Sequence, residues 1–117
     1  GNISAVDATF TGRTMHDGTP NNKVTLVSAG IHTVSTPTDN TLLCETDSGN
    51  ITIVLPNNAE DGDIITIKDI EGSAGITNSL TVEGDTGVTI DGETDYPLTS
   101  PYSLLKVISY SGNWFVI

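Results

Sequence analysis

The chain has 117 residues, a length that allows one compact domain and argues against two. It carries 15 acidic residues against 4 lysines and arginines, for a formal net charge of -11, which excludes nucleic acid and anionic membranes as partners because both need cationic side chains. The single cysteine, Cys44, excludes an internal disulfide, and no apolar stretch reaches the roughly 18 residues of a membrane span.

The first 22 residues differ in composition from the rest of the chain. Residues 1–12 carry isolated bulky side chains separated by small ones, and residues 13–22 contain no apolar run. Such a segment cannot form a core of its own. We therefore predict an extended N-terminal arm, or the end of a longer rod, over residues 1–22, and a folded module over residues 23–117.

From residue 23 onward, short alternating apolar and polar runs predict β-strands, and no window shows the 3.6-residue stripe of a helix. The predicted strands cover residues 23–28, 31–35, 41–45, 50–55, 63–69, 79–83, 87–90, 102–110 and 113–117. Ser48-Gly49-Asn50 and Ser111-Gly112-Asn113 each join two of these runs and predict tight hairpins. Many short strands at this spacing predict an all-β protein, here an antiparallel β-sandwich of jelly-roll type.

The last predicted strand suggests how the exposed edge of such a module is covered. Its side chains, Trp114-Phe115-Val116-Ile117, carry no charge, and an uncharged edge strand is prone to pair with other chains. We expect Trp114 and Val116 to pack on one face, and Trp114, Phe115 and Ile117 to lie in the core or in an interface between copies. A homotrimer would cover this rim.

Several segments, taken in order, carry a resemblance to a known class of proteins. The run Asn50-Ile51-Thr52-Ile53-Val54-Leu55-Pro56 is followed by Gly62-Asp63-Ile64-Ile65-Thr66-Ile67-Lys68-Asp69, by Gly72-Ser73-Ala74-Gly75, and by Val88-Thr89-Ile90-Asp91-Gly92. The final hairpin ends on Trp114 and apolar residues. Residues 31–117 thus resemble the C-terminal trimeric head or tip module of phage tail fibres and other viral fibre-like proteins, and residues 1–12 resemble their shaft sequences.

The resemblance implies a noncatalytic structural protein of the virion, a homotrimeric β-sandwich at the tip of a fibre or spike that attaches to a host-surface receptor, with a glycan as one candidate. Two alternatives stay open. One is a capsid decoration protein whose arm, residues 1–22, clamps the shell. The other is a carbohydrate-binding or adhesin module of a bacterial surface protein.

Candidate binding residues lie on loops between the predicted strands. Aromatic faces beside amides and carboxylates suit sugars, so we assign Tyr96, Tyr102, Asp91, Glu93 and Asn113 to a contact surface. The other acids, among them Asp69 and Glu71, sit beside glycines in predicted turns, where carboxylates cap backbone N–H groups. We therefore expect no catalytic residues and no cofactor. A calcium ion at residues 91–95, or a metal on His16 or His32 at a trimer axis, is left open.

Overall fold

The computed structural model describes residues 23–34 and 40–117 of the chain. The predicted arm, residues 1–22, lies outside the described residues, and with it lie Arg13 and His16. The boundary at residue 23 therefore stays a prediction.

The described part of the chain is built from β-strands, with a single 3-10 turn at Thr46–Ser48 and no α-helix. In chain order the strands are β1 (Val24–Val27), β2 (Gly30–Thr33), β3 (Thr41–Cys44), β4 (Ile51–Leu55), β5 (Ile64–Asp69), β6 (Leu80–Gly84), β7 (Asp95–Leu98), β8 (Leu104–Tyr110) and β9 (Asn113–Val116). The all-β prediction is confirmed. Residues 87–90, predicted as a strand, form only isolated bridges through Ile90, and β7 was not predicted because Pro97 interrupts its pattern.

The strands form two mixed sheets. Sheet A has the order β1-β3-β5-β8-β9, and sheet B has the order β2-β4-β6-β7. Within each sheet the first three strands pair in parallel, whereas β7, β8 and β9 add by antiparallel pairing. The chain therefore winds through three successive coils, each of which gives one strand to sheet A and the next to sheet B.

The prediction of antiparallel pairing is wrong for this coiled part, which lacks the antiparallel strand order of a jelly roll. The two similar turns explain the error. Ser111 and Gly112 have positive φ angles of 54° and 84° and form the predicted hairpin between β8 and β9. The link at Ser48 and Gly49 instead turns a corner from sheet A to sheet B, where the Ala29 N–H of the preceding coil donates to Ser48 Oγ at 2.8 Å.

One hydrophobic core lies between the two sheets and takes alternate residues from their strands. Its largest fully buried side chains include Trp114, Leu42, Ile53 and Ile67. Cys44 belongs to the same core, as predicted. Burial, together with the nearby carboxylate of Asp69, raises the pKa of its thiol to about 12, so the sulfur stays protonated at neutral pH and packs as a small apolar group.

The C-terminal rim of sheet A is covered by the chain itself. Trp114 N–H donates to the Thr89 carbonyl at 2.9 Å, and Asp91 N–H donates back to the Trp114 carbonyl at 2.9 Å. Val116 N–H donates to the Asp91 carboxylate at 3.0 Å. The backbone edge of this rim therefore needs no further copy, because the segment at residues 89–91 takes up its outward hydrogen bonds. The side chains of Phe115 and Ile117 stay exposed, so their burial against another copy remains a prediction.

Candidate assembly surface

The outer face of sheet A is apolar, although it points away from the core. Because successive side chains of a strand point to opposite faces, the residues that alternate with the core residues form this face. Its apolar members are Val24, Leu26, Leu43, Ile64, Leu104, Ile108, Phe115 and Ile117. Six of these side chains are exposed, with Leu104 at 60% and Phe115 at 40% of their surface.

The strand register joins these side chains into rows. Ile64 lies opposite Ile108, which in turn lies opposite Phe115, so one apolar row crosses three strands. A second row runs along Leu26, Leu43, Lys68 and Leu104. Between these two rows lies a third, made of Val24, Thr41, Thr66 and Lys106. Apolar side chains therefore occur on all five strands of sheet A, but threonines and lysines interrupt them. Several exposed apolar side chains on one face are typical of a site of interaction.

Two lysines stand on this apolar face. Lys68 donates a hydrogen bond to the Tyr102 carbonyl. Lys106 is exposed and lies opposite Thr66, and no carboxylate of the described residues forms an ion pair with it. The chain has only 4 lysines and arginines, so two of its few cations stand on its main apolar surface.

The outer face of sheet B has a different character. One row across it consists of Ile31, Thr52, Thr81 and Pro97, and the next consists of Thr33, Val54, Glu83 and Asp95. Threonines and carboxylates alternate here with a few apolar side chains. This face suits contact with water, so the two outer faces of the molecule differ sharply in polarity.

A buried carboxylate holds one end of sheet A together. Asp69, the last residue of β5, is fully buried, and its two oxygens accept five hydrogen bonds. The donors are the Thr46 hydroxyl at 2.6 Å and the backbone N–H groups of Glu71 at 3.0 Å, Gly72 at 2.9 Å, Ala74 at 3.1 Å and Tyr102 at 3.0 Å. One side chain thus ties the 3-10 turn and two loops to the end of β5.

Hydrogen bonding determines the protonation state of the Asp69 carboxyl group. Burial by itself would raise the pKa of Asp69, but the Thr46 hydroxyl and the backbone N–H groups of Glu71, Tyr102 and Gly72 outweigh it and lower the pKa well below its usual range. Asp69 caps N–H groups, as predicted for acids beside glycines, but it is buried rather than at the surface. The Asp69 carboxylate is fully buried, and both of its oxygens already accept hydrogen bonds. It therefore stabilises the fold and is not accessible to a substrate.

The five residues predicted as a contact surface do not lie in one place. Asp91, Glu93 and Asn113 lie near the C-terminal rim, where Asn113 Oδ1 accepts a bond from Thr89 N–H at 3.0 Å. Tyr102 precedes β8 and its N–H donates to Asp69, whereas Asn113 lies opposite Tyr110 at the far end of β8. A strand of this length separates its two ends by about 20 Å. Tyr96 is half-buried in β7 and packs against the core, which leaves little of its ring to a ligand.

The three residues predicted for the core or an interface divide between the two faces of sheet A. Trp114 points inward and is 1% exposed, and its Nε1–H donates to the Pro56 carbonyl at 3.1 Å. Phe115 and Ile117 lie on the outer face. Their contact with another copy stays a prediction, and the other members of that face were not predicted.

A simple signal for this face was present in the sequence. The pairs Leu42-Leu43, Ile64-Ile65 and Leu104-Leu105 each lie within a strand. Because neighbours in a strand point to opposite faces, an adjacent pair of bulky apolar residues predicts a strand that is apolar on both faces. Alternation predicts the strands, whereas breaks in the alternation indicate the second apolar face.

Residues 23–34 and 40–117 contain no group of three or more His, Cys, Asp or Glu side chains placed to hold a metal ion, and none of their helices is long and apolar enough to cross a membrane. No family model matches the chain, and no curated protein matches it.

Proposed function

We propose that this chain is a noncatalytic structural protein of a virion, a β-sandwich module that assembles as a homotrimer at the tip of a phage fibre or spike and serves attachment to the host surface. The observation that carries the proposal is the set of six exposed apolar side chains on the outer face of sheet A. An attachment module needs a surface for assembly and a separate surface for the receptor, and the two sheets offer faces of opposite polarity.

In the proposed trimer the outer face of sheet A is turned toward the threefold axis. Burial of exposed apolar surface stabilises such an assembly by roughly 25 cal/mol for each Å² removed from water. The polar outer face of sheet B then points away from the axis. Its threonines and carboxylates keep the particle soluble, and together with the loops they form the surface open to a receptor.

Assembly multiplies both charge and binding sites. Three copies carry a formal charge of about -33, three times the -11 of one chain, which disfavours contact with nucleic acid. A weak receptor site present three times on each tip gains avidity through effective concentration, by a factor of about 100 to 10,000 where the geometry allows simultaneous contacts. Attachment by this means needs no catalytic group and no cofactor. The receptor would be a host-surface molecule such as a glycan.

The substitution Phe115→Asp tests the assembly. Phe115 is 40% exposed in one copy, so a charge there should cost the isolated subunit about 1 to 2 kcal/mol in lost apolar burial, less than the total stability of a typical domain. In the trimer the same charge would be buried without a partner, which costs several kcal/mol. We expect sedimentation velocity to show monomers with an unchanged circular dichroism spectrum.

Ile31→Asp is the matched control. Ile31 is also an apolar residue of a strand, 77% exposed, but it lies on the outer face of sheet B. This variant should remain trimeric. A Phe115→Asp protein that sediments as a trimer, or an Ile31→Asp protein that dissociates, would contradict the proposed orientation of the sheets.

A further inference from the structure

Lys106 is an exposed cation without a carboxylate partner among the described residues, on a chain with 15 acidic residues. It stands on the outer face of sheet A, and the Ile117 N–H donates to its backbone carbonyl at 2.9 Å. A lysine in an apolar contact surface is costly unless the partner brings a negative charge to it. The partner that covers this face must therefore present a carboxylate.

The C-terminal rim of sheet A presents such a carboxylate. Beyond β9, Ile90 bridges Trp114, and Glu93 bridges back onto Ile90. The carboxylate of Asp91 is occupied by the Val116 N–H. Glu93 is exposed, and its side chain is not engaged by any of the described residues. Glu93 thus supplies an available negative charge at the border of the same sheet whose face carries Lys106.

The symmetry of an assembly limits which of these surfaces can be in contact between two copies. A face-to-face contact between two sheets A would be isologous, would close as a dimer, and would bring the two Lys106 cations onto the same surface. A contact between sheet A and the outer face of sheet B of the next copy joins opposite sides of the molecule, and it would continue as an open stack. A closed ring of three needs two different surfaces joined by a rotation that closes after three copies. The face of sheet A and the β9 rim are two different surfaces that do not lie on opposite sides of the molecule.

We propose that each copy lays its C-terminal rim against the outer face of sheet A of the next copy, with Glu93 of one copy paired with Lys106 of its neighbour. This inference rests on the proposed homotrimer and specifies its contacts. The charge pair fixes the direction in which the copies follow one another, while the apolar rows supply most of the attraction.

Charge reversal tests the pair. We expect Lys106→Glu and Glu93→Lys, each alone, to raise the protein concentration at half-assembly by about tenfold or more, as close interfacial charge pairs do. The double variant Lys106→Glu/Glu93→Lys restores the pair in the opposite sense and the net charge of the natural chain. Its half-assembly concentration should return to within about threefold of the wild-type value. The readout is sedimentation velocity over a concentration series.

The control is the double variant Lys106→Glu/Glu83→Lys. It has the same net charge, but its new lysine lies on the outer face of sheet B, so it should stay as weakly assembled as Lys106→Glu alone. If both double variants assemble equally, or if neither recovers, the face-to-rim pairing is overturned while a trimeric wild type still supports the proposed function. A monomeric wild type overturns both.

Discussion

Asp69→Asn is expected to lower the free energy of unfolding by about 3 to 4 kcal/mol at neutral pH, because it weakens a buried group with five hydrogen-bond donors around it. An amide has one oxygen, and its NH2 group would face backbone N–H groups that can only donate. Urea unfolding followed by circular dichroism measures the change, at one fixed protein concentration because the proposed assembly would also affect apparent stability.

The effect of Asp69→Asn should depend on pH in a defined direction. The pKa of Asp69 is lowered in the folded state, so its carboxylate binds protons more readily in the unfolded chain. Its stabilisation is complete above the unfolded pKa of about 3.9 and is lost as the pH falls toward the folded pKa. The stability difference between wild type and variant should therefore narrow below about pH 4.

Asp95→Asn serves as the matched control for Asp69→Asn. Asp95 is exposed at the start of β7, and its replacement should change the free energy of unfolding by less than about 0.5 kcal/mol. An Asp69→Asn protein as stable as this control would show that the buried carboxylate does not hold the end of sheet A.

The second large effect is expected for Trp114→Ala, with a loss of about 3 to 5 kcal/mol in the free energy of unfolding. Trp114 is among the largest fully buried side chains of the described core, and it lies where the antiparallel hairpin closes the coils. Removing the indole leaves a cavity between the two sheets. Because Trp114 is the single tryptophan of the chain, unfolding of the variant is followed by circular dichroism rather than by fluorescence.

Trp114→Phe separates packing from hydrogen bonding at the same position. This variant keeps an aromatic ring in the core but leaves the Pro56 carbonyl without its donor, which should cost about 1 to 3 kcal/mol. We therefore expect a stability between those of wild type and Trp114→Ala. An alanine variant within about 1 kcal/mol of wild type would mean that the indole is not needed to close the core.

Adjacent residues of β9 illustrate what the sequence could predict. Alternation correctly placed the strand and put Trp114 and Val116 on its inner side, because that information is local. The pairing of the strands is not local. Ser48-Gly49-Asn50 resembles a hairpin turn as closely as Ser111-Gly112-Asn113 does, and only the neighbouring coil, through Ala29, makes it a corner.

The sequence did not predict the burial of Asp69 or the covered backbone edge of β9, and the reason is the same for both. Asp69 is followed by Glu71 and Gly72, a pattern typical of a surface turn, and its donors Thr46 and Tyr102 come from distant parts of the chain. Likewise, no local pattern shows that residues 89–91 run beside β9. The proposed trimer therefore rests on the outer face of sheet A rather than on the backbone edge of β9.

Sedimentation equilibrium of the wild-type protein at micromolar concentration is the most direct measurement. A mass three times that of the 12.2 kDa chain is the predicted result, since the apolar outer face of sheet A is then covered by identical copies. A stable, non-aggregating particle of one chain at every concentration would contradict it, because Leu104 and Phe115 would remain in water without a partner.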